Sequence, residues 1–165
     1  MLFRNLFQKQ FQIENGVLVK YTGKPDDAEA VIPDGVTGIG SFAFQKCRSL
    51  RRVIIPESVS EIGRYAFSEC SSLREIVIPK KVRQIQKYAF EGCEQLSAVT
   101  LPDGLRAIGK NAFDNCAALR TIRLPDSLEI IEDGAFERCK NLTEIHIPAG
   151  ITVLEKSLFY ACQNL

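Results

Sequence analysis

Residues 53–75 read VIIPESVSEIGRYAFSECSSLRE. This is one unit of a repeat that fills nearly all of the chain after residue 30. Proline recurs at 33, 56, 79, 102, 125 and 148, a constant step of 23. Cysteine keeps that step at 47, 70, 93, 116, 139 and 162, phenylalanine from 44 to 159, and leucine from 50 to 165. A fixed period of about 20–30 residues is the signature of a solenoid, in which each unit buries its apolar face only against its neighbours.

Within a unit the order of residue types specifies the local chain path. Leu73, Ile76 and Ile78 alternate with polar positions before Pro79. Period-two β-branched residues make a short strand, and proline ends it because it has no N–H for a ladder. A turn of variable chemistry follows, as in Glu57-Ser58 or Asp103-Gly104. Next come two apolar positions such as Val59 and Ile62, then Ala-Phe-x-x-Cys, for which a single helical or 3₁₀ turn is expected. About eight positions per unit are apolar, enough for a core only when units stack.

The first 29 residues do not follow the repeat and are expected to cap its open end. Leu2, Phe3, Leu6, Phe7 and Phe11 suit a short amphipathic helix, and Asn15-Gly16 between two apolar runs is a hairpin signal. The domain reading is therefore a cap over 1–29, helix plus hairpin, and a solenoid of about six rungs over 30–165. Leu165 is the leucine that would launch another strand. An uncovered apolar end near Ile151, Leu154, Leu158 and Phe159 implies truncation, self-association through that end, or local fraying.

The totals restrict function. Six cysteines all occupy one repeat position, so their even number follows from the rung count. They are expected as reduced, buried packing residues; a linear ladder of thiols does not form a tetrahedral metal site. A formal charge of +1 gives no electrostatic case for nucleic acid. No run of about 18 apolar residues exists for a membrane span. Arg4, Lys9 and Gln10 interrupt any secretory core, which read literally points to the cytoplasm.

The rungs resemble the BspA-like, bacterial surface-antigen class of leucine-rich repeats. Residues 53–73 match its pattern, L-x-x-(I/V)-x-(I/L)-P-x-x-(V/L)-x-x-I-G-x-x-A-F-x-x-C, once Leu50 is taken as the opening leucine. Gly63 and Gly109 keep the I-G step, whereas Gln86, Glu132 and Glu155 replace it, and Leu158 stands for the alanine. The resemblance implies a right-handed parallel leucine-rich-repeat solenoid, β-rich with short helical or 3₁₀ turns. It implies protein binding and adhesion at cell surfaces, and hence a surface or secreted location, with no cofactor and no catalytic residue to carry over.

With the leucine-type and isoleucine-type residues pointing inward, the residues between them form two outward columns. One is Glu29, Arg52, Glu75, Ala98, Thr121 and Glu144; the other is Val31, Ile54, Val77, Thr100, Arg123 and His146. The candidate protein-binding residues are Val31, Arg52, Ile54, Glu75, Val77, Arg123 and His146. Three consecutive β-branched apolar residues suit a binding face, although β-branched residues also simply favour strands. Arg52 beside Glu75 is expected to be a cross-rung ion pair.

Apparent catalytic motifs dissolve in the repeat frame. GLRAIGKN at 104–111 lacks the Ser or Thr of a phosphate loop, and the same frame reads KVRQIQKY one step earlier and SVSEIGRY two steps earlier. His146 has Glu144 and Arg123 as neighbours and no serine for a dyad. Asn141-Leu142-Thr143 is a glycosylation sequon whose central leucine is a core position. The functional expectation is a non-catalytic binding module; the alternatives are a spacer in a longer surface protein and, least supported, an enzyme.

Overall fold

The computed structural model describes residues 10–165. The helix expected from Leu2, Phe3, Leu6 and Phe7 lies outside the described residues. Phe11, assigned to the same face, instead opens a strand: β1 (Phe11–Glu14) pairs antiparallel with β2 (Val17–Tyr21). Asn15 (φ 50°) and Gly16 (φ 80°) make the tight turn between them, both in the left-handed conformation that Asn-Gly accepts. Phe11 is buried against the rings of Tyr21 and Phe44, with centroids 5.5 and 6.5 Å away.

The repeats then supply short parallel strands on two sides of the stack. The first rung contributes β3 (Glu29–Val31) and β4 (Gly38–Ile39), the second β5 (Arg52–Ile54) and β6 (Glu61–Ile62). The third contributes β7 (Glu75–Val77) and β8 (Gln84–Ile85), the fourth β9 (Ala98–Thr100) and β10 (Ala107–Ile108). The fifth gives β11 (Thr121–Ile122) and β12 (Ile130–Ile131), the sixth β13 (Glu144–Ile145). On one side β3, β5, β7 and β9 form a sheet, continued by the pair β11–β13. On the other, β2 runs parallel to β4, placing the hairpin in line with the second ladder.

The Ala-Phe-x-x-Cys segments differ from expectation in an informative way. Among the described residues they are turns, with no α-helix or 3₁₀ helix. Alternate amides close local turns, as in Ala66 N to the Gly63 carbonyl and Cys70 N to the Phe67 carbonyl, 3.3 and 3.2 Å. The amides between them cross to the next rung: Tyr65 N to Lys87 O, Phe67 N to Ala89 O and Glu69 N to Glu91 O, 3.2, 2.8 and 2.7 Å. Two left-handed residues in each of the first five rungs permit this alternation, Tyr65 (φ 56°) and Glu69 (φ 58°) here, Asn111 (φ 52°) and Asn115 (φ 55°) two rungs on. A continuous helix would use every amide within the rung, so the third side of the stack becomes a ladder too.

Inside, Phe44, Phe67, Phe90, Phe113 and Phe136 are fully buried and stacked face over face. Their centroids are separated by 4.9, 5.3, 5.4 and 5.6 Å, with rings within 14° of parallel. Tyr21 extends the row by 5.1 Å at one end and Phe159 by 6.1 Å at the other. The glycine of the I-G step has a steric reason at Gly63: an added Cβ would lie 2.5 Å from Ser41 N. Burial of the cysteines is less uniform than expected. Cys70, Cys93, Cys116 and Cys139 are buried, but Cys47 and Cys162, near the two ends, are half-buried. Ile55 is also only partly buried.

Because each ring packs on both neighbours, truncation in the middle is felt on two sides. Phe90→Ala is expected to destabilise the chain by about 3–5 kcal/mol, and half-buried Phe159→Ala by clearly less, as read from urea unfolding midpoints.

Candidate functional site

The two outward columns stand on one sheet face. Glu29, Arg52, Glu75 and Ala98 are direct cross-strand neighbours, as are Thr121 and Glu144. Val31 lies opposite Ile54, and Val77 opposite Thr100. The intervening Ala30, Val53 and Ile76 are buried, so the strand pleat presents the columns to solvent. Val31, Ile54 and Val77 are 43, 39 and 60 % exposed, well outside the buried range of the repeat positions. Arg123 follows β11, His146 follows β13, and both are exposed. The apolar trio and Arg52–Glu75 therefore share β3, β5 and β7, with Arg123 two rungs from Val77 and His146 three.

Arg52 Nε lies 3.0 Å from Glu75 Oε1, forming the cross-rung pair expected from the sequence. Each side chain is more than half exposed, so the pair is worth at most about 1 kcal/mol. Beside the trio lies a feature that the outward columns alone did not reveal. Val77, Thr100 and Arg123 border a shallow depression of about 450 Å³ whose other walls include Lys80, Pro102 and Asp103. Lys80 and Asp103 come from the segments after the prolines, which the sequence marks as turns of variable chemistry. The only hint was their variability from rung to rung. The face thus combines a β-branched apolar strip with a rim bearing both charges.

Two other surfaces carry unusual chemistry. On the turn side Phe42, Tyr65 and Tyr88 stack at 5.0 and 4.6 Å with rings 7° and 4° from parallel. All three have positive φ, and their aromatic contact offsets that backbone cost. On the same side Asp114, whose side chain is 3 % exposed, accepts hydrogen bonds from Arg138 Nε and Asn111 Nδ2 at 3.0 and 3.2 Å. This pairing holds the Arg138 guanidinium firmly charged, its pKa raised by the Asp114 hydrogen bond. Nearby, Glu91 borders a polar depression of about 420 Å³ with Glu69 and Glu94. Desolvation raises the Glu91 pKa, whereas the Arg48 hydrogen bond lowers that of Glu69. Among the described residues, no group of three or more His, Cys, Asp or Glu side chains is placed to hold a metal ion. No helix among them is long and apolar enough to cross a membrane.

The sequence matches the BspA type leucine-rich repeat region in six copies, over residues 27–97 and 65–165. The chain belongs to the BspA-type leucine-rich repeat family. Solved structures agree with that placement. A leucine-rich repeat protein of T. pallidum, TpLRR, is 34 % identical with a TM-score of 0.89, the match covering 95 % of this chain and 78 % of TpLRR. A leucine-rich repeat protein of Bacteroides ovatus is 33 % identical with a TM-score of 0.86, covering 94 % of this chain and 43 % of the other. A leucine-rich cell surface protein of Faecalibacterium prausnitzii is 28 % identical with a TM-score of 0.56, covering 82 % and 52 %. This BspA-type chain therefore spans less than half of the B. ovatus relative. No curated protein matches its sequence significantly.

The contrast between the two ion pairs is measurable. Arg138→Ala leaves the Asp114 carboxylate buried with only the Asn111 amide, and is expected to cost about 1–3 kcal/mol. Arg52→Ala on the open sheet face is expected to cost less than about 1 kcal/mol. Chemical denaturation of the two variants in parallel checks the ranking.

Proposed function

We propose that this chain is a non-catalytic protein-binding module that engages its partner through the sheet face at Val31, Ile54 and Val77. The observation that carries the reading is three neighbouring strands each exposing a β-branched apolar side chain beside a depression rimmed by Lys80, Asp103 and Arg123. Apolar surface held out on a rigid, hydrogen-bonded sheet loses little conformational freedom on binding, and charged rim residues add orientation. Arg52, Glu75 and His146 extend the same face toward its polar parts. A cell-surface or adhesive setting is part of the proposal and draws on the F. prausnitzii relative, described as a cell surface protein. Residues 1–29 are proposed as the cap of the first rung, where the Phe11 and Tyr21 rings cover Phe44.

A second reading, a spacer within a longer protein, has one supporting observation. The B. ovatus relative continues well beyond the region shared with this chain. A spacer needs no specific face, so the sheet substitutions below separate the two.

Ile54→Asp and Val77→Asp place charge on solvent-facing positions and are expected to leave the unfolding midpoint nearly unchanged. Binding to whichever members of an extracellular-protein array the native chain retains should fall at least about tenfold in each variant. Retention at native strength in both variants would sink the sheet-face assignment, as would loss of the fold in both.

A further inference from the structure

The strands of the first sheet carry positive charge that the chain does not neutralise. Arg51 and Arg74 immediately precede β5 and β7, and Arg120 and Arg123 flank β11; all four are exposed. Among the described residues none of these four guanidinium groups has a hydrogen-bond or ion-pair partner, whereas the neighbouring Arg52 is taken up by Glu75. Residues 1–9, MLFRNLFQK, contain no Asp or Glu that could supply one. Residues 51–54, 74–77, 97–100 and 120–123 together hold five arginines and one glutamate, in a chain whose formal charge is only +1.

These arginines stand in a row along the stack. Arg74 N donates to the Arg51 carbonyl at 3.0 Å and Ser97 N to the Arg74 carbonyl at 2.9 Å, and Arg120 follows Ser97 by one 23-residue step. With rungs about 4.8 Å apart, the row from Arg51 to Arg120 spans roughly 14 Å. Like charges on neighbouring strands repel, and Arg51 beside Arg74 is such a pair. On the turn side cross-rung cations meet carboxylates instead, as Arg48 meets Glu69 at 2.9 Å and Lys110 meets Asp133 at 3.5 Å. The other acids near this sheet do not fill that role. Glu29 and Glu144 stand on the first and sixth rungs, Glu57 accepts from the Lys80 amide at 3.3 Å, and Asp103 borders the same depression as Arg123 without pairing with it. Ile54 and Val77 lie three residues on from Arg51 and Arg74, roughly 10 Å along their strands. A cationic row and an apolar row therefore run side by side, separated by the column of Arg52, Glu75 and Ala98.

We propose that the partner of this face presents an extended peptide segment in which acidic and apolar side chains alternate. Arg51, Arg74 and Arg120 receive its carboxylates, and Val31, Ile54 and Val77 receive its apolar side chains. The inference rests on the sheet-face reading above and adds the chemistry of the partner. An extended chain laid along the stack, over the middle column, sends successive side chains to opposite edges. One edge then meets the arginines and the other the β-branched strip. Arginine suits the first role because its planar fork takes a carboxylate through two parallel hydrogen bonds, which an ammonium group does not offer. Arriving carboxylates also remove the cross-rung repulsion that the free chain bears, so charge contributes to both encounter rate and selectivity. A sulfated polysaccharide or a nucleic-acid strand would satisfy the arginines but leave the apolar row in water.

The probe is a labelled heptapeptide, Val-Asp-Val-Asp-Val-Asp-Val, compared with its Asn counterpart by fluorescence anisotropy on the full chain. At low salt the Asp peptide should bind at least about tenfold more tightly than the Asn peptide. The difference should disappear near about 1 M salt, where the screening length falls to about 3 Å. Combining Arg51→Gln with Arg74→Gln should abolish the preference for Asp, whereas Arg64→Gln on the turn side should retain it. The double variant should unfold at an unchanged or higher denaturant midpoint, because a repulsion is removed; a lower midpoint would assign the arginines to the stack and overturn the proposal. Equal binding of the two peptides also overturns it, and leaves the sheet-face reading to its own test. Ile54→Ser should weaken both peptides alike. Unchanged binding in that variant strikes the sheet-face reading itself. A heparin-derived hexasaccharide that binds more tightly than the Asp peptide, through the same arginines, would replace the acidic peptide with a sulfated glycan.

Discussion

Every rung of this protein depends on giving its backbone polar groups to the rung beside it. A 23-residue unit is too short to satisfy its own amides and carbonyls while also forming three nearly straight sides. Cross-rung bonds solve this on all three: Ile78 N to Thr100 O at 2.9 Å on the first sheet, Gly109 N to Ile85 O at 2.8 Å on the second, and Phe90 N to Ala112 O at 2.8 Å on the turn side. The phenylalanine row then fills the space they enclose. No rung has an interior of its own, so hydrogen bonding and burial are both properties of neighbouring pairs.

The parts legible in the sequence are those fixed by a period. Pro56 and its repeats mark where ladder bonding stops, and Val53, Ile62, Phe67 and Leu73 are buried as their spacing requires. The turn side was less legible, because Ala-Phe-x-x-Cys has the composition of a helical turn. Its actual path rests on left-handed Tyr65 and Glu69, neither of which is a glycine or asparagine that would announce a positive φ. Phe11 was misplaced for a related reason. A hydrophobe four residues after another fits a helix face, but an antiparallel strand against Tyr21 buries it as well. The candidate face was half legible: alternation gave Val31, Ile54 and Val77, whereas the depression beside them needed Pro102 and Asp103 brought close by the fold.

The same division separates surfaces with freedom to vary from those without. On the sheet face, an exposed side chain such as Val77 touches little that the stack requires. On the turn side even exposed residues have structural duties: Tyr65 holds a strained backbone by stacking on Phe42 and Tyr88, and Arg138 neutralises a buried carboxylate.

The three ladders have a mechanical consequence. Their hydrogen bonds run from rung to rung, along the axis of the stack. Tension applied between the two chain ends therefore loads these bonds in line at every interface, and the terminal rungs, bonded on one side only, let go first. Such a stack peels in sequence. Each 23-residue unit that lets go exchanges about 4.8 Å of folded length for roughly 75–80 Å of extended chain. A rod built this way resists compression through its packed rings, yet lengthens under load by many times its folded span.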